Sequence, residues 1–436
     1  MIAVHNAQQP RQTTSLTERV LLLIGAVFLV ANFLALAVIN NRWNFTHWTH
    51  MLVWLACAWV GHRWLNRSLP DRDPIIFPIT MFLSGWGLVI IDRLAPGFAD
   101  RQSLWLIAGT IALLLTACLP YGIRWLRTYR YILLFAGLLL LIATIILGRN
   151  PSGLSGAPQL WLGAGSIYFQ PSEALKIILV GFLASYLAEQ YPALRAEGLS
   201  IRQRILILSP RVFGPILLMW GISIVILIWQ RDLGTAILFF VVFLILLYVA
   251  SGSVWILLSG AVLIAVAGFA AYHLFSVVQL RVDIWLNPWP ESDGRAYQIV
   301  QSLMAFAAGG IFGQGLGQGL PNYIPVVHSD FILAALAEEW GLLGIVSLIA
   351  CIVTLVIRGL QIAITRHAQP FQAMLAVGLS MLIATQSILI MAGVLKLIPL
   401  TGVTLPFMSY GGSSLLITFI MVGILLRLSS TEDKTR

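Results

Sequence analysis

Residues 233–251 read LGTAILFFVVFLILLYVAS, a run without one charged side chain. A stretch of that length crosses the hydrocarbon core of a bilayer as a helix, because a helix satisfies its own backbone hydrogen bonds where no water can. Working outward from it, comparable apolar runs fall at 19–39, 48–66, 74–92, 103–119, 131–148, 172–189, 213–229, 254–276, 331–357, 372–395 and 411–428. The run at 48–66 is the weakest, since His50, His62 and Arg63 crowd its ends. The expected fold class is therefore an all-α polytopic membrane protein of about 12 transmembrane helices. Composition agrees: 59% of the 436 residues are hydrophobic and 10% are charged, against about 25% charged in a soluble domain.

The first run lacks a small-residue cleavage site and is followed by others, so it reads as an anchor rather than a removable signal. Cys57, Cys118 and Cys351 lie inside apolar runs, which suggests small buried hydrophobes and neither a disulfide framework nor a metal cluster. The formal charge of +9 is a topology signal. With the N-terminus inside, seventeen of the 26 Lys and Arg fall on the cytoplasmic side, Arg11, Arg19, Arg63, Arg67, Arg72, Arg124, Arg127 and Arg130 among them, against eight outside and Lys176 within a span. Both termini are then cytoplasmic, and nucleic-acid binding drops out as a reading.

That orientation puts three unusual stretches outside: 149–172, 277–330 and 396–411. The longest is rich in Gly, Pro and polar residues, and loops of that length in a compact protein are usually functional or disordered. An amphipathic segment from Tyr297 to Phe312 is expected to fold against the membrane surface.

Several segments carry candidate chemistry. Trp161 precedes FQPSE at 169–173, where Pro171 suits a first helical turn and sets Glu173 and Lys176 one turn apart on one face. That pair reads either as an interfacial ion pair or as the lining of a polar cavity. Asp232 opens the 233–251 run, as a helix cap or as a carboxylate that binds a cation. Arg281, beside Trp285, is either an interfacial anchor or a phosphate ligand. The glycine-rich GGIFGQGLG at 309–317 lacks the Lys and Ser/Thr of a P-loop and follows no strand, so nucleotide binding is rejected; a close-packed or flexible loop near substrate fits better. Asp330 stands at the bilayer edge with Glu338 and Glu339 two turns deeper; it reads either as a helix cap or, as a partly desolvated carboxylate, as a general base, and spacing alone does not choose between them. Lys396 precedes TGVTLPFMSYGGSSL at 401–415, where Ser409, Tyr410, Gly411, Gly412 and Ser413 offer donors to a pyrophosphate or sugar. Such irregular backbone is tolerated at membrane depth only when buried in protein or lining a cavity.

Taken in order, FQPSE at 169–173, QRDLGTA at 230–236, NPW and YQIVQS within 287–302, HSDF at 328–331, AEEWGLLG at 337–344 and the 401–415 segment resemble the SEDS family (shape, elongation, division and sporulation). The resemblance covers roughly residues 130–428. It implies a peptidoglycan glycosyltransferase that polymerises lipid II into β-1,4-linked glycan outside the bacterial cytoplasmic membrane, in cell elongation or division. It also implies Asp330 as the catalytic aspartate, a divalent cation (Mg2+ or Mn2+), for which Asp232 is the candidate ligand, and a class B penicillin-binding protein as partner. The implied organisation is a tail at 1–18, an added transmembrane pair at 19–66, a core at 67–428 with an extracytoplasmic loop at 277–330, and a tail at 429–436. The family usually carries Arg-Trp before QPSE, where this chain has Leu160-Trp161, so the missing charge is expected to pass to Arg149 or Arg231. A lipid flippase and a non-catalytic scaffold are the rival readings; the first would show an inverted repeat and polar groups at the bilayer midplane.

Overall fold

A computed structural model describes residues 9–41, 43, 45–119, 122–150, 159–164, 167–196, 221, 224–225, 228–230 and 232–430. The helices, in chain order, are α1 (Gln9–Ile39), α2 (Phe45–Ser68), α3 (Ile76–Leu94), α4 (Pro96–Cys118), α5 (Gly122–Thr128), α6 (Arg130–Leu147), α7 (Pro171–Ala196), α8 (Leu233–Ser251), α9 (Val254–Leu274), α10 (Ser276–Leu286), α11 (Tyr297–Gly309), α12 (Ile332–Thr365), α13 (Pro370–Val394) and α14 (Gly412–Ser429). Among the described residues, ten helices are long and apolar enough to cross a membrane. The protein is a polytopic, helical membrane protein. The expected count of twelve is not confirmed: α2 forms where predicted but is too polar to meet the same measure, and most of the run at 213–229 lies outside the described residues.

The chain divides into two compact units. The first holds residues 1–120, 284–358 and 386–436, and the second holds 121–283 and 359–385. In the first unit α14 packs along α4 and α3, while α1 and α2 pack against each other and against α3 and α4. The second unit packs α7 between α6 and α8, with α9 on α8. Helices α3 and α7 are both 83% buried across their spans, and α9 only 11%. Both buried spans carry charged side chains, Asp92 on α3 and Glu173 and Lys176 on α7. A helix with such groups is stable at membrane depth only when neighbouring helices shield it from lipid.

Three expected boundaries move. α4 begins at Pro96, not near 103, since proline suits the first turn of a helix. A two-stranded antiparallel hairpin, β1 (Leu162–Ala164) and β2 (Ile167–Phe169), precedes α7. The stretch 277–330, read as a loop, contains α10 and α11 and two short 3₁₀ turns. Here α11 ends at Gly309, because Gly310 takes φ 53°, ψ −141°.

The largest departure lies inside α12. At Gly341 the backbone turns to φ 66°, ψ −163°, so the apparent single helix is two. The glycine-rich loop that follows α11 closes the break. Gln314 and Gly315 donate to the carbonyls of Glu338 and Glu339, at 2.8 and 3.1 Å, while Leu342 and Leu343 donate to Gly310 and Ile311, at 3.0 and 3.2 Å. An interruption in a membrane helix persists only when its freed backbone groups find partners, and these four bonds supply them. Beside it, Arg93 lies 3.2 Å from Glu339, as an ion pair without the alignment of a hydrogen bond, and donates to the carbonyl of Gly319 at 3.1 Å. Glu338 accepts from the Leu320 amide at 2.8 Å. The loop is therefore close-packed, the first of the two alternatives its composition suggested.

Candidate functional site

In the first unit, two bonds tie the irregular 401–411 segment to the residues just before α12. The Ser409 hydroxyl donates to the Ser329 carbonyl at 2.6 Å and accepts from the Leu405 amide at 3.0 Å. The Tyr410 amide donates to the His328 carbonyl at 2.9 Å. Asp330 is half-buried at the mouth of α12 and accepts from the Ser329 hydroxyl at 2.8 Å. Asp330, Ser409 and Tyr410 are thus brought together within one unit. Three non-glycine residues near these segments hold left-handed backbone: Val326, Lys396 and Phe407. Strain of this kind is kept only where surrounding packing determines it. For Lys396 that support includes its carbonyl, which accepts from the Trp285 indole at 3.1 Å.

Gly411 takes extended backbone at the start of α14, and Gly412 and buried Ser413 follow it. A Cβ on Gly412 would lie 2.1 Å from the Trp105 indole. Gly412→Ala is therefore expected to destabilise the protein by about 1–3 kcal/mol, as overpacking does, and to lower activity. Trp105→Leu in the same chain should restore both; thermal unfolding and turnover of single and double variants measure this.

Sequence reasoning missed what α4 contributes. Phe98 stacks on His328, with ring centres 4.7 Å apart, and lies 4.6 Å from Tyr410. Gln102, buried, donates to the Ser409 carbonyl at 3.4 Å. The available signal was the polar run Asp100-Arg101-Gln102-Ser103 in the first two turns after Pro96, a proline suited to start a helix. Burial lowers the His328 pKa from its ordinary value. A neutral imidazole is thus favoured by the fold, so stability is complete above the unfolded value of about 6.5 and is lost as pH falls through it. Between pH 8 and 5.5 the wild type should lose more thermal stability than His328→Phe, which keeps the stacked ring without the titration.

In the second unit, Pro171 starts α7, and Lys176 Nζ reaches both Glu173 carboxylate oxygens at 2.7 Å. Both side chains are buried. Glu173→Gln removes the carboxylate charge that the buried Lys176 ammonium meets at 2.7 Å and should cost about 3–5 kcal/mol, read by thermal unfolding. Asp232 caps α8, accepting from the Thr235 amide at 3.2 Å and from the Ser172 hydroxyl at 3.3 Å; Gln170 donates to the same hydroxyl at 3.0 Å. The helix-cap reading of Asp232 is thus realised, and no group of three metal-ligating side chains occurs among the described residues. Trp161 pairs with Arg149 through their backbones, at 2.8 and 3.3 Å, so Arg149 stands beside the position where the family's arginine is replaced by Leu160. Arg231 lies outside the described residues. Arg281 is half-buried on α10.

The fold and these clusters define a class: a many-span helical membrane protein with a hydroxyl-rich, non-helical segment fixed beside a carboxylate at a helix mouth. The family model described as cell cycle protein, covering FtsW, RodA and SpoVE, matches residues 76–434, and the chain belongs to that family. It is 36% identical over 433 residues to the peptidoglycan glycosyltransferase RodA of Mycobacterium tuberculosis, covering 96% of this chain and 91% of the relative. It is 33% identical over 376 residues to the probable peptidoglycan glycosyltransferase FtsW of Trichlorobacter lovleyi, covering 83% and 94%. A solved chain from work on polymerization and crosslinking by a peptidoglycan synthase complex matches with a TM-score of 0.67 and 26% identity, over 83% of this chain and 99% of that one. The rod shape determining protein RodA of Thermus thermophilus, at 24% identity and a TM-score of 0.58, shows the same fold.

Proposed function

We propose that this peptidoglycan glycosyltransferase polymerises lipid II, with Asp330 as the general base. The observation that carries the proposal is the attachment of His328, Ser329 and hence Asp330 to Ser409 and Tyr410 within one unit. It holds a carboxylate beside a segment suited to sugar and phosphate. Lipid II has an α-linked sugar pyrophosphate and the glycan is β-linked, so one inverting displacement suffices. Asp330 takes the proton of the acceptor 4-hydroxyl, whose oxygen forms the new bond to the donor C1 as the bond to pyrophosphate breaks. The electron pair leaves with undecaprenyl pyrophosphate, whose growing negative charge calls for cations. Lys396 is the proposed one in the first unit, with Ser409, Tyr410, Gly411, Gly412 and Ser413 as neighbouring donors. Arg281 and Trp161, with the Glu173–Lys176 pair, are proposed substrate contacts carried by the second unit.

A divalent cation, Mg2+ or Mn2+, enters the proposal as a companion of the pyrophosphate, the usual setting for Mg2+. Both Asp232 oxygens already accept bonds that fix two helix starts, an arrangement that fits a cap better than a metal ligand, and no step is assigned to the cation. The Lys and Arg bias supports a topology with both termini in the cytoplasm and Asp330 outside the cytoplasmic membrane. A class B penicillin-binding protein is the proposed partner, supported by the likeness to a chain of a synthase complex.

The broken helix at Gly341, with half-buried Arg93 and buried Glu338 and Glu339 beside it, is the observation that favours a flippase instead. Transporters leave unwound carbonyls to coordinate their cargo; here the carbonyls of Glu338 and Glu339 are occupied by Gln314 and Gly315. The test is purified protein in vesicles with lipid II and a penicillin-blocked partner, scoring glycan and lipid translocation separately. Glycan is the expected product; translocation without glycan would transfer the proposal to the flippase.

A further inference from the structure

Outside residues 76–434, where the family model matches, α1 and α2 enclose a groove of about 470 Å³. Leu22, Ala26, Leu55 and Trp59 line its apolar length, over buried Trp54, whose indole donates to the Met81 carbonyl at 2.7 Å. Its mouth carries Arg19 from the first turns of the apolar α1 span, and Arg63 and Arg67 from the last turns of α2.

The carboxylate next to Arg19 in the chain is already engaged. Glu18 is fully buried and accepts from Arg72 at 2.6 Å and from His62 Nδ1 at 2.7 Å. With Nδ1 donating to Glu18, His62 Nε2 accepts from Arg19 at 3.1 Å and from Asn66 at 2.8 Å. This orients Arg19 at the rim. Arg63 leans over the Trp59 ring, 5.9 Å from its centre. Among the described residues, none of Arg19, Arg63 and Arg67 pairs with a carboxylate. Among the described residues, three guanidinium groups therefore crowd one end of an apolar slot with no carboxylate paired to them.

We infer that this groove binds one anionic phospholipid, with the phosphodiester on Arg19, Arg63 and Arg67 and an acyl chain between α1 and α2. Arginine matches a phosphate through paired donors. Basic clusters at the end of a membrane helix select anionic lipid over zwitterionic lipid. The apolar walls separate this occupant from a soluble anion, which would use the mouth alone.

The test is native mass spectrometry of the full chain in nonionic detergent, titrated with phosphatidylglycerol, phosphatidylcholine or inorganic phosphate. The wild type should retain one phosphatidylglycerol in clear preference to phosphatidylcholine. The Arg63→Gln/Arg67→Gln variant alters exposed side chains outside the described hydrogen-bond network and should bind phosphatidylglycerol roughly tenfold or more weakly. Ala26→Phe fills the slot while leaving every charge in place, and should lose the lipid as well. Equal retention of both lipids, unchanged binding in either variant, or displacement of phosphatidylglycerol by inorganic phosphate would overturn the inference.

Discussion

Gly341→Ala is expected to destabilise the protein by at least about 3 kcal/mol and to remove most of its activity. The backbone at φ 66°, ψ −163° is a region that essentially only glycine adopts, at a cost of about 1–3 kcal/mol for other residues. A Cβ there would also lie 2.3 Å from the Gly313 amide nitrogen and 2.5 Å from the Ile311 carbonyl oxygen, both backbone atoms with little room to yield. Relief requires the glycine-rich loop to withdraw, which breaks some of the four bonds between it and the two halves of α12. Each such bond contributes about 1 kcal/mol net, and more when its loss leaves a buried group unpaired. Activity should fall with stability because the first half of α12 begins two residues after Asp330. Gly97→Ala is the control, as nothing lies within 4 Å of its Cβ position, and it should shift stability by no more than about 0.5 kcal/mol. Thermal unfolding in detergent compares the two. Equal melting temperatures would mean that the break at Gly341 is not maintained as described.

Asp330→Asn should lower polymerisation by about 10²–10⁴-fold, the range that general base catalysis supplies, with little change in folding. The amide is nearly isosteric and still accepts from the Ser329 hydroxyl, so the links from Ser409 and Tyr410 to this segment remain. What it loses is the ability to take a proton. Asp330→Glu keeps that ability but moves the carboxylate by one methylene, and should recover only part of the rate. Ser329→Ala removes one hydrogen bond to the carboxylate and should cost far less than either. A ranking in which Ser329→Ala is worse than Asp330→Asn would make the hydroxyl, not the carboxylate, the reacting group.

Spans such as 233–251 and 372–395 were readable because a long apolar run has one stable form in lipid, and α8 and α13 begin and end within two residues of those limits. The break in α12 was not readable in the same way. AEEWGLLG looks like helix locally, and the partners that stabilise the turn at Gly341 come from residues 310–315, far away in sequence. The hairpin before α7 is equally silent, since three-residue strands carry too little alternation to register. At the site, Asp330 and the 401–415 segment stood out by composition and by family resemblance. Their contact through Ser409 and Tyr410 depends on tertiary packing, and so does the contribution of Phe98 and Gln102, which read as ordinary residues at a helix start. Asp232 and the Glu173–Lys176 pair show the opposite case. Capping and helix periodicity stated their local bonds from sequence, and those bonds formed.

The most direct test of the central claim loads wild type and Asp330→Asn with equal lipid II, confirms equal binding, and follows one turnover beside a penicillin-blocked partner. Glycan from the wild type, with substrate bound but unreacted in the variant, is the expected result. Glycan at the wild-type rate from Asp330→Asn would contradict it and assign the proton transfer to another group.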